Sequence, residues 1–324
     1  MNLQRWVGRR EADWQKFDRL LSRAESKGLR SLESEQVREL SSLYRSACAD
    51  LARLRSSQSS ERLTADLQNL VARGYRQIYQ GLRRQEWRAL VAFYRWELPA
   101  VIQRSRLEIG LATALLLVGG LIAWWCSWAD PHFIDLVMPA QIVHQVRDNH
   151  QLWIGSIVGI APFAGSSIMI NNLTVSFAAV AGGITAGLST AWIVFSNGIN
   201  LGAAAALVAQ NDLWYPFWAF VFPHGALELP AIFLAGGAGL LLARALLFPG
   251  RLTRVAALKL WGGEAAKLVY GIVPLLLIAG TIEGFFSPNP TIPEPFKYMA
   301  GSILFILLVL YGSRRKAGES RSGS

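Results

Sequence analysis

The chain has 324 residues, of which 52% are hydrophobic and 17% charged, with a formal net charge of +10. That balance excludes an ordinary soluble enzyme, and the average conceals a division. Residues 1–106 hold 21 of the 32 Lys and Arg and 12 of the 22 Asp and Glu, whereas 107–313 are long apolar runs with sparse charge. The pattern predicts an all-α, polytopic membrane protein: a basic cytoplasmic helical bundle followed by about six transmembrane helices. The first apolar run starts beyond residue 100 with no cleavage-like site after it, so it reads as a retained span and not a signal peptide. Cys48 and Cys126 are expected on opposite sides of the membrane, and two scattered thiols make no zinc framework.

Three amphipathic helices are predicted in the first 82 residues from apolar positions recurring at three and four. The first carries Trp6, Trp14, Phe17 and Leu21; the second Val37, Leu40, Tyr44, Ala47, Leu51 and Leu54; the third Leu63, Leu67, Leu70, Val71, Tyr75 and Ile78. Gly28 and the run from Ser56 to Ser60 separate them. A fourth segment, Arg83 to Arg106, mixes aromatics with arginines, including Arg88, Arg95, Trp96, Arg104 and Arg106. That mixture suits the membrane surface, where indole rings settle at headgroup level and arginines attract anionic lipid, with Pro99 bending the chain before it enters the bilayer. A nucleic-acid partner is excluded, because the arginines are interleaved with acids and no binding motif is present.

A bilayer core needs about 20 apolar residues per helix. The predicted spans are 107–128, 168–188, 191–209, 223–248, 265–286 and 297–311, followed by a basic disordered tail at 314–324. Residues 168–210 read as two spans with a turn near Trp192 to Asn197, or as one broken hairpin. Both termini are placed in the cytoplasm, because an even number of spans leaves only Arg147 and Lys297 on or near the outer side. Arg251, Arg254 and Lys259, in the stretch 251–261, are expected on the inner membrane surface. Asp130 to Phe163 carries His132, His144 and His150 at spacings that match no standard ligand pattern. The run 287–295 reads as a stiff, extended loop.

Charge inside a span is costly and marks function, which singles out Glu228 and Glu283. His224 lies one helical turn before Glu228, so the two share a face and are the candidate ligands of a metal ion. Otherwise no cofactor is implied. Asn197 and Asn200 complete the predicted intramembrane polar cluster with His224, Glu228 and Glu283. The competing reading is structural: Glu228 caps amides freed by a break at Pro230, and the carboxyls hold helices together by hydrogen bonds. Gly182, Gly183, Gly187, Gly198, Gly202 and the run Gly236-Gly237-Ala238-Gly239 permit close helix approach, and one such face is weighed as a homodimer contact. No phosphate loop, dinucleotide fingerprint, serine elbow or His-Glu-x-x-His motif is present.

The order of motifs resembles the stage II sporulation protein M family of bacterial membrane proteins. It rests on Leu-Tyr-Arg-Ser-Ala-Cys-Ala-Asp-Leu-Ala at 43–52, Phe-Ser-Asn-Gly-Ile-Asn-Leu-Gly at 195–202, Pro-His-Gly-Ala-Leu-Glu-Leu-Pro-Ala-Ile at 223–232, Ala-Gly-Gly-Ala-Gly-Leu at 235–240, Pro-Gly-Arg at 249–251 and Ile-Glu-Gly-Phe at 282–285. The long N-terminal helical part is similar to that of the broad, non-sporulation branch. The resemblance implies a bacterial inner-membrane location and, from the family's name, a place beside proteins that remodel peptidoglycan. Three functions follow as expectations: a non-enzymatic scaffold or partner of other envelope proteins, a transporter-like module working through Glu228 and Glu283, and an intramembrane metal-dependent hydrolase using His224, Glu228 and Glu283.

Overall fold

The structure is a computed structural model and describes residues 3–28, 31–56, 61–130, 132–153 and 161–315. The part of the expected basic tail beyond Arg315 lies outside these residues, as do positions 57–60 of the second break. The described residues are helical, without strands, and divide into two compact units, 1–92 and 93–324.

In the first unit, α1 (Leu3–Lys27), α2 (Ser34–Ser56) and α3 (Glu61–Ala92) pack pairwise around one apolar core. Trp6, Trp14, Phe17, Leu21, Leu40, Ala47, Leu51, Leu54 and Leu67 are all buried in it. α1 ends where Gly28 adopts φ +82°, a left-handed geometry that glycine adopts at little cost. The stripe differs from expectation at two positions, because Val37 and Tyr75 are exposed. Beside Tyr75, Gly74 faces the core, where a side chain would collide with Phe17 and Tyr44. The buried carboxylate of Asp50 accepts hydrogen bonds from Arg10 Nε at 2.8 Å and Trp14 Nε1 at 3.0 Å, so its burial is compensated.

Six helices in the second unit are long and apolar enough to cross a membrane, in agreement with the predicted number. They are α5 (Arg106–Ala129), α8 (Ala161–Ala181, with the 3₁₀ turn Gly182–Thr185), α9 (Leu188–Gln210), α10 (Trp214–Leu247), α11 (Arg254–Thr281, with the π turn Ile282–Phe286) and α12 (Glu294–Gly312). Short helices α6 (Phe133–Val137) and α7 (Ala140–Arg147) lie between α5 and α8. At 34 residues α10 is about 50 Å long and exceeds the roughly 30 Å hydrocarbon core. It is the central helix, packed against α5, α8, α9, α11 and α12.

The structure departs from the sequence reading in five places. The turn between the second and third spans is not at 192–197; it lies at 182–187, where Ala186 (φ 54°) and Gly187 (φ 84°) reverse the chain, and Trp192 to Asn197 fall within α9. Residues 254–261, expected to lie between spans, are the first turns of α11, and Arg251, Arg254 and Lys259 are exposed. The segment 83–106 is not one interfacial helix. It comprises the end of α3, a π turn at Phe93–Glu97 and α4 (Leu98–Arg104), and Leu98 and Val101 are buried in the apolar core, Leu98 lying where a side chain on Gly271 would meet it. Residues 287–293 form compact turns instead of an extended loop, because the Asn289 side chain accepts from the Thr291 amide and hydroxyl. Finally, α10 runs unbroken through Pro223 and Pro230.

The glycines weighed for a homodimer are spent within the chain. A side chain on Gly198 would strike the Leu116 carbonyl, on Gly202 the Gly120 carbonyl, on Gly183 the Gly239 carbonyl and on Gly239 the Ala179 carbonyl. These contacts set α5 against α9, and α10 against the end of α8, at backbone distance.

Candidate functional site

A proline two residues after each π turn explains both turns. Pro99 has no N–H to offer the Arg95 carbonyl and Pro288 none for Gly284, so the backbone widens by one residue to keep its hydrogen bonds. At the second turn the Ser287 amide accordingly reaches back five residues to the Ile282 carbonyl at 2.8 Å. Glu283 sits inside this turn and is buried.

Three helical segments converge there: α8, α10 and the π turn ending α11. Glu228 on α10 accepts a hydrogen bond from Asn172 Nδ2 on α8 at 2.8 Å. Glu283 lies on the π turn packed against α10, and among the described residues its buried Oε2 has no hydrogen-bond partner. Gly280 brings α11 close to α8, since a side chain on it would overlap Met169. One turn earlier on α10, His224 is 4% exposed and its Nδ1 lies 3.0 Å from Ser287 Oγ. Phe220 meets the imidazole edge-on at 5.3 Å between ring centroids. The same Ser287 accepts at its carbonyl from Lys297 Nζ, 2.6 Å away, which ties the start of α12 to the turn.

Of the five predicted cluster residues, the structure therefore places Glu228 and Glu283 on elements that pack together, with no hydrogen bond between them among the described residues, and sets His224 one helical turn from Glu228, against Ser287. Asn197 and Asn200 are not drawn in by any described hydrogen bond, because their amides donate to the Ile193 and Ser196 carbonyls of their own helix. Glu228 reaches Asn172 and not freed backbone amides. Asn172 escaped the sequence reading, although the adjacent pair Asn171-Asn172 inside an apolar run is the signal that would have found it. Ser287 and Lys297 were missed because serine is common in spans and Lys297 reads as a boundary charge.

His224 and Glu228, the pair weighed as metal ligands, take different partners. Among the described residues no three His, Cys, Asp or Glu side chains are grouped to hold a metal ion. His132 and His144 are separately exposed, 3.7 Å from Asp135 and 3.4 Å from Asp148. A charge pair between two of the spans went unread: Arg244 on α10 bonds to the buried Glu108 on α5 at 2.7 Å and stacks on Trp261 at 4.3 Å.

Chemically, the centre offers carboxyl oxygens, an amide, a hydroxyl and an imidazole in an apolar surround. It can exchange a proton or bind a small cation; Ser287 and His224 are a hydrogen-bonded hydroxyl and imidazole, and among the described residues no hydrogen bond to the second ring nitrogen orients that imidazole.

No solved structure matches the chain. A curated relative, an uncharacterized protein of Methanocaldococcus jannaschii, is 38% identical over 74 residues, which are 22% of this chain and 42% of that protein. The chain thus spans about two fifths of that relative's length. Residues 4–80 match a domain family of unknown function. The model of stage II sporulation protein M matches residues 112–288, more than half the chain and a range containing Asn172, His224, Glu228, Glu283 and Ser287. The chain belongs to the stage II sporulation protein M family.

Proposed function

We propose that this protein is a non-enzymatic, multi-pass partner protein of the bacterial inner membrane, organising other envelope proteins, with both termini in the cytoplasm. The observation that carries this reading is how the polar groups within the spans are used. Glu228 is bonded to Asn172, Glu108 to Arg244, Thr190 to the Ala179 carbonyl and Gln210 to the Ser127 carbonyl, so that they fasten one helix to another. In hydrocarbon such bonds hold a bundle together, because an unmade one leaves a polar group without water. The residues that attract attention in the sequence then serve as struts, and work is done through the surfaces they hold in place.

A second reading has one observation in its favour. Glu283 Oε2, buried where the π turn packs against α10 and without a hydrogen-bond partner among the described residues, is a position for a proton or small cation and supports a transporter-like module. One experiment separates the two. Glu228→Gln and Glu283→Gln are expected to leave the native membrane complexes, sized by blue native electrophoresis, unchanged. Loss of proton or cation flux in vesicles by either folded variant would move the second reading to the front.

A further inference from the structure

Gly110 on α5 and Gly312 at the end of α12 differ from the packed glycines of the membrane unit. Nothing lies within 4 Å of where their side chains would begin. Both line a cavity of about 510 Å³ whose walls include Ile109, Phe233, Leu275, Phe305 and Leu308. Phe305 and Gly312 are seven residues apart, about 10 Å along the helix, a large part of one leaflet's roughly 15 Å of hydrocarbon. The cavity is thus a largely apolar trough about two thirds as deep as one leaflet's hydrocarbon, with open space at both glycines.

Its mouth is basic. Arg106 and Arg315 line it and are exposed, and neither has a hydrogen bond or ion pair among the described residues. Neighbouring cations are committed elsewhere: Arg104 and Lys267 to Glu264, and Arg244 to Glu108. No carboxylate lines the cavity. Gln103 donates to the Gly312 and Arg314 carbonyls at 2.9 and 2.7 Å, which fixes the end of α12 and holds Arg315 at the mouth. The Tyr311 hydroxyl is bonded to the Tyr94 carbonyl on the adjoining π turn.

We propose that this trough is a binding site for an anionic phospholipid of the leaflet on the side of the C-terminus, its acyl chain along the apolar wall and its phosphate between Arg106 and Arg315. Two unpaired guanidinium groups match a phosphodiester in charge and in hydrogen-bonding geometry, and an apolar trough of this depth has no use for a soluble anion. The site is separate from the Glu228 and Glu283 centre and stands whichever function that centre has.

The test uses the full-length protein in detergent, with binding of phosphatidylglycerol and phosphatidylcholine of identical chains compared by native mass spectrometry. Wild type is expected to prefer phosphatidylglycerol. In Arg106→Gln/Arg315→Gln that preference should fall by roughly tenfold. Gly110→Phe, whose first side-chain carbon meets nothing within 4 Å and whose fold is checked by circular dichroism, should lose binding of both lipids. Equal binding of the two lipids by wild type, or a preference that survives both variants, overturns the proposal. So does competition by glycerol phosphate equal to that by the lipid, which would assign the arginines to a soluble anion. A change of oligomeric mass in Gly110→Phe without loss of lipid would assign the trough to a second copy of the chain and equally overturn it.

Discussion

Glu108 and Arg244 show how a single residue supports the membrane unit. Glu108 is almost wholly buried, and one of its carboxylate oxygens has no partner beyond what Arg244 supplies to the other. Arg244→Ala strands that charge and is expected to cost about 2–3 kcal/mol, less than the roughly 3–5 kcal/mol for a fully buried pair because Arg244 is itself partly exposed. Adding Glu108→Gln to Arg244→Ala should recover part of the loss, as read by thermal unfolding in detergent. In the first unit, Arg73 bonds to both Asp18 and Glu25, and the guanidinium holds the Glu25 carboxyl below its usual range. A depressed carboxyl contributes stability above its unfolded-state pKa and loses it as pH falls through the folded one. The half-exposed Glu25 pair is worth under about 1 kcal/mol. The thermal midpoint gap between wild type and Arg73→Ala should therefore be present at pH 7 and shrink below pH 4; a gap independent of pH would remove the ion pair as its cause.

At the scale of elements, the closest contacts are backbone to backbone. α5 and α9 meet at Gly119, Gly120, Gly198 and Gly202, where a methyl group at Gly119, Gly198 or Gly202 would fall on a carbonyl oxygen of the facing helix and one at Gly120 would make ordinary contact with Gly198. Carbonyl oxygens on a helix cannot turn aside as a flexible side chain can. Gly202→Ala is expected to destabilise by about 2 kcal/mol or more, whereas Gly110→Ala, facing open space, should be neutral or slightly stabilising. Size-exclusion profiles after stepwise heating would check both, and equal behaviour of the two variants would refute the packing. Each π turn is likewise an element-level consequence of a single proline two residues on. The second of them buries Glu283 where the turn packs against α10.

At the scale of the molecule, reporters fused after Trp128, Arg251 and Tyr311 are expected to read outside, inside and inside. An outer signal at either of the last two would overturn the even-span topology. Much of this architecture was legible in the sequence because hydrophobicity is set residue by residue: six apolar runs became six candidate spans, and Phe17, Leu21, Leu40 and Leu54 became core. Glu228 and Glu283 were legible for the same reason, since a carboxylate among leucines stands out wherever it folds. The partner set was not. Asn172 lies 56 residues from Glu228 and Ser287 lies 63 from His224, and Asn197 and Asn200 looked equivalent to them until α9 took up their amides itself. The turn at 182–187 was also hidden, because a reversal by Ala186 and Gly187 in a run of small apolar residues leaves no polar mark. By itself, then, the sequence determined which segments leave water, which charges they carry with them and the family they belong to, all of which follow from local composition and order. Which polar group answers which, which glycines are consumed in packing and where an apolar trough stays open were decided by tertiary structure alone, because each depends on the approach of helices distant along the chain.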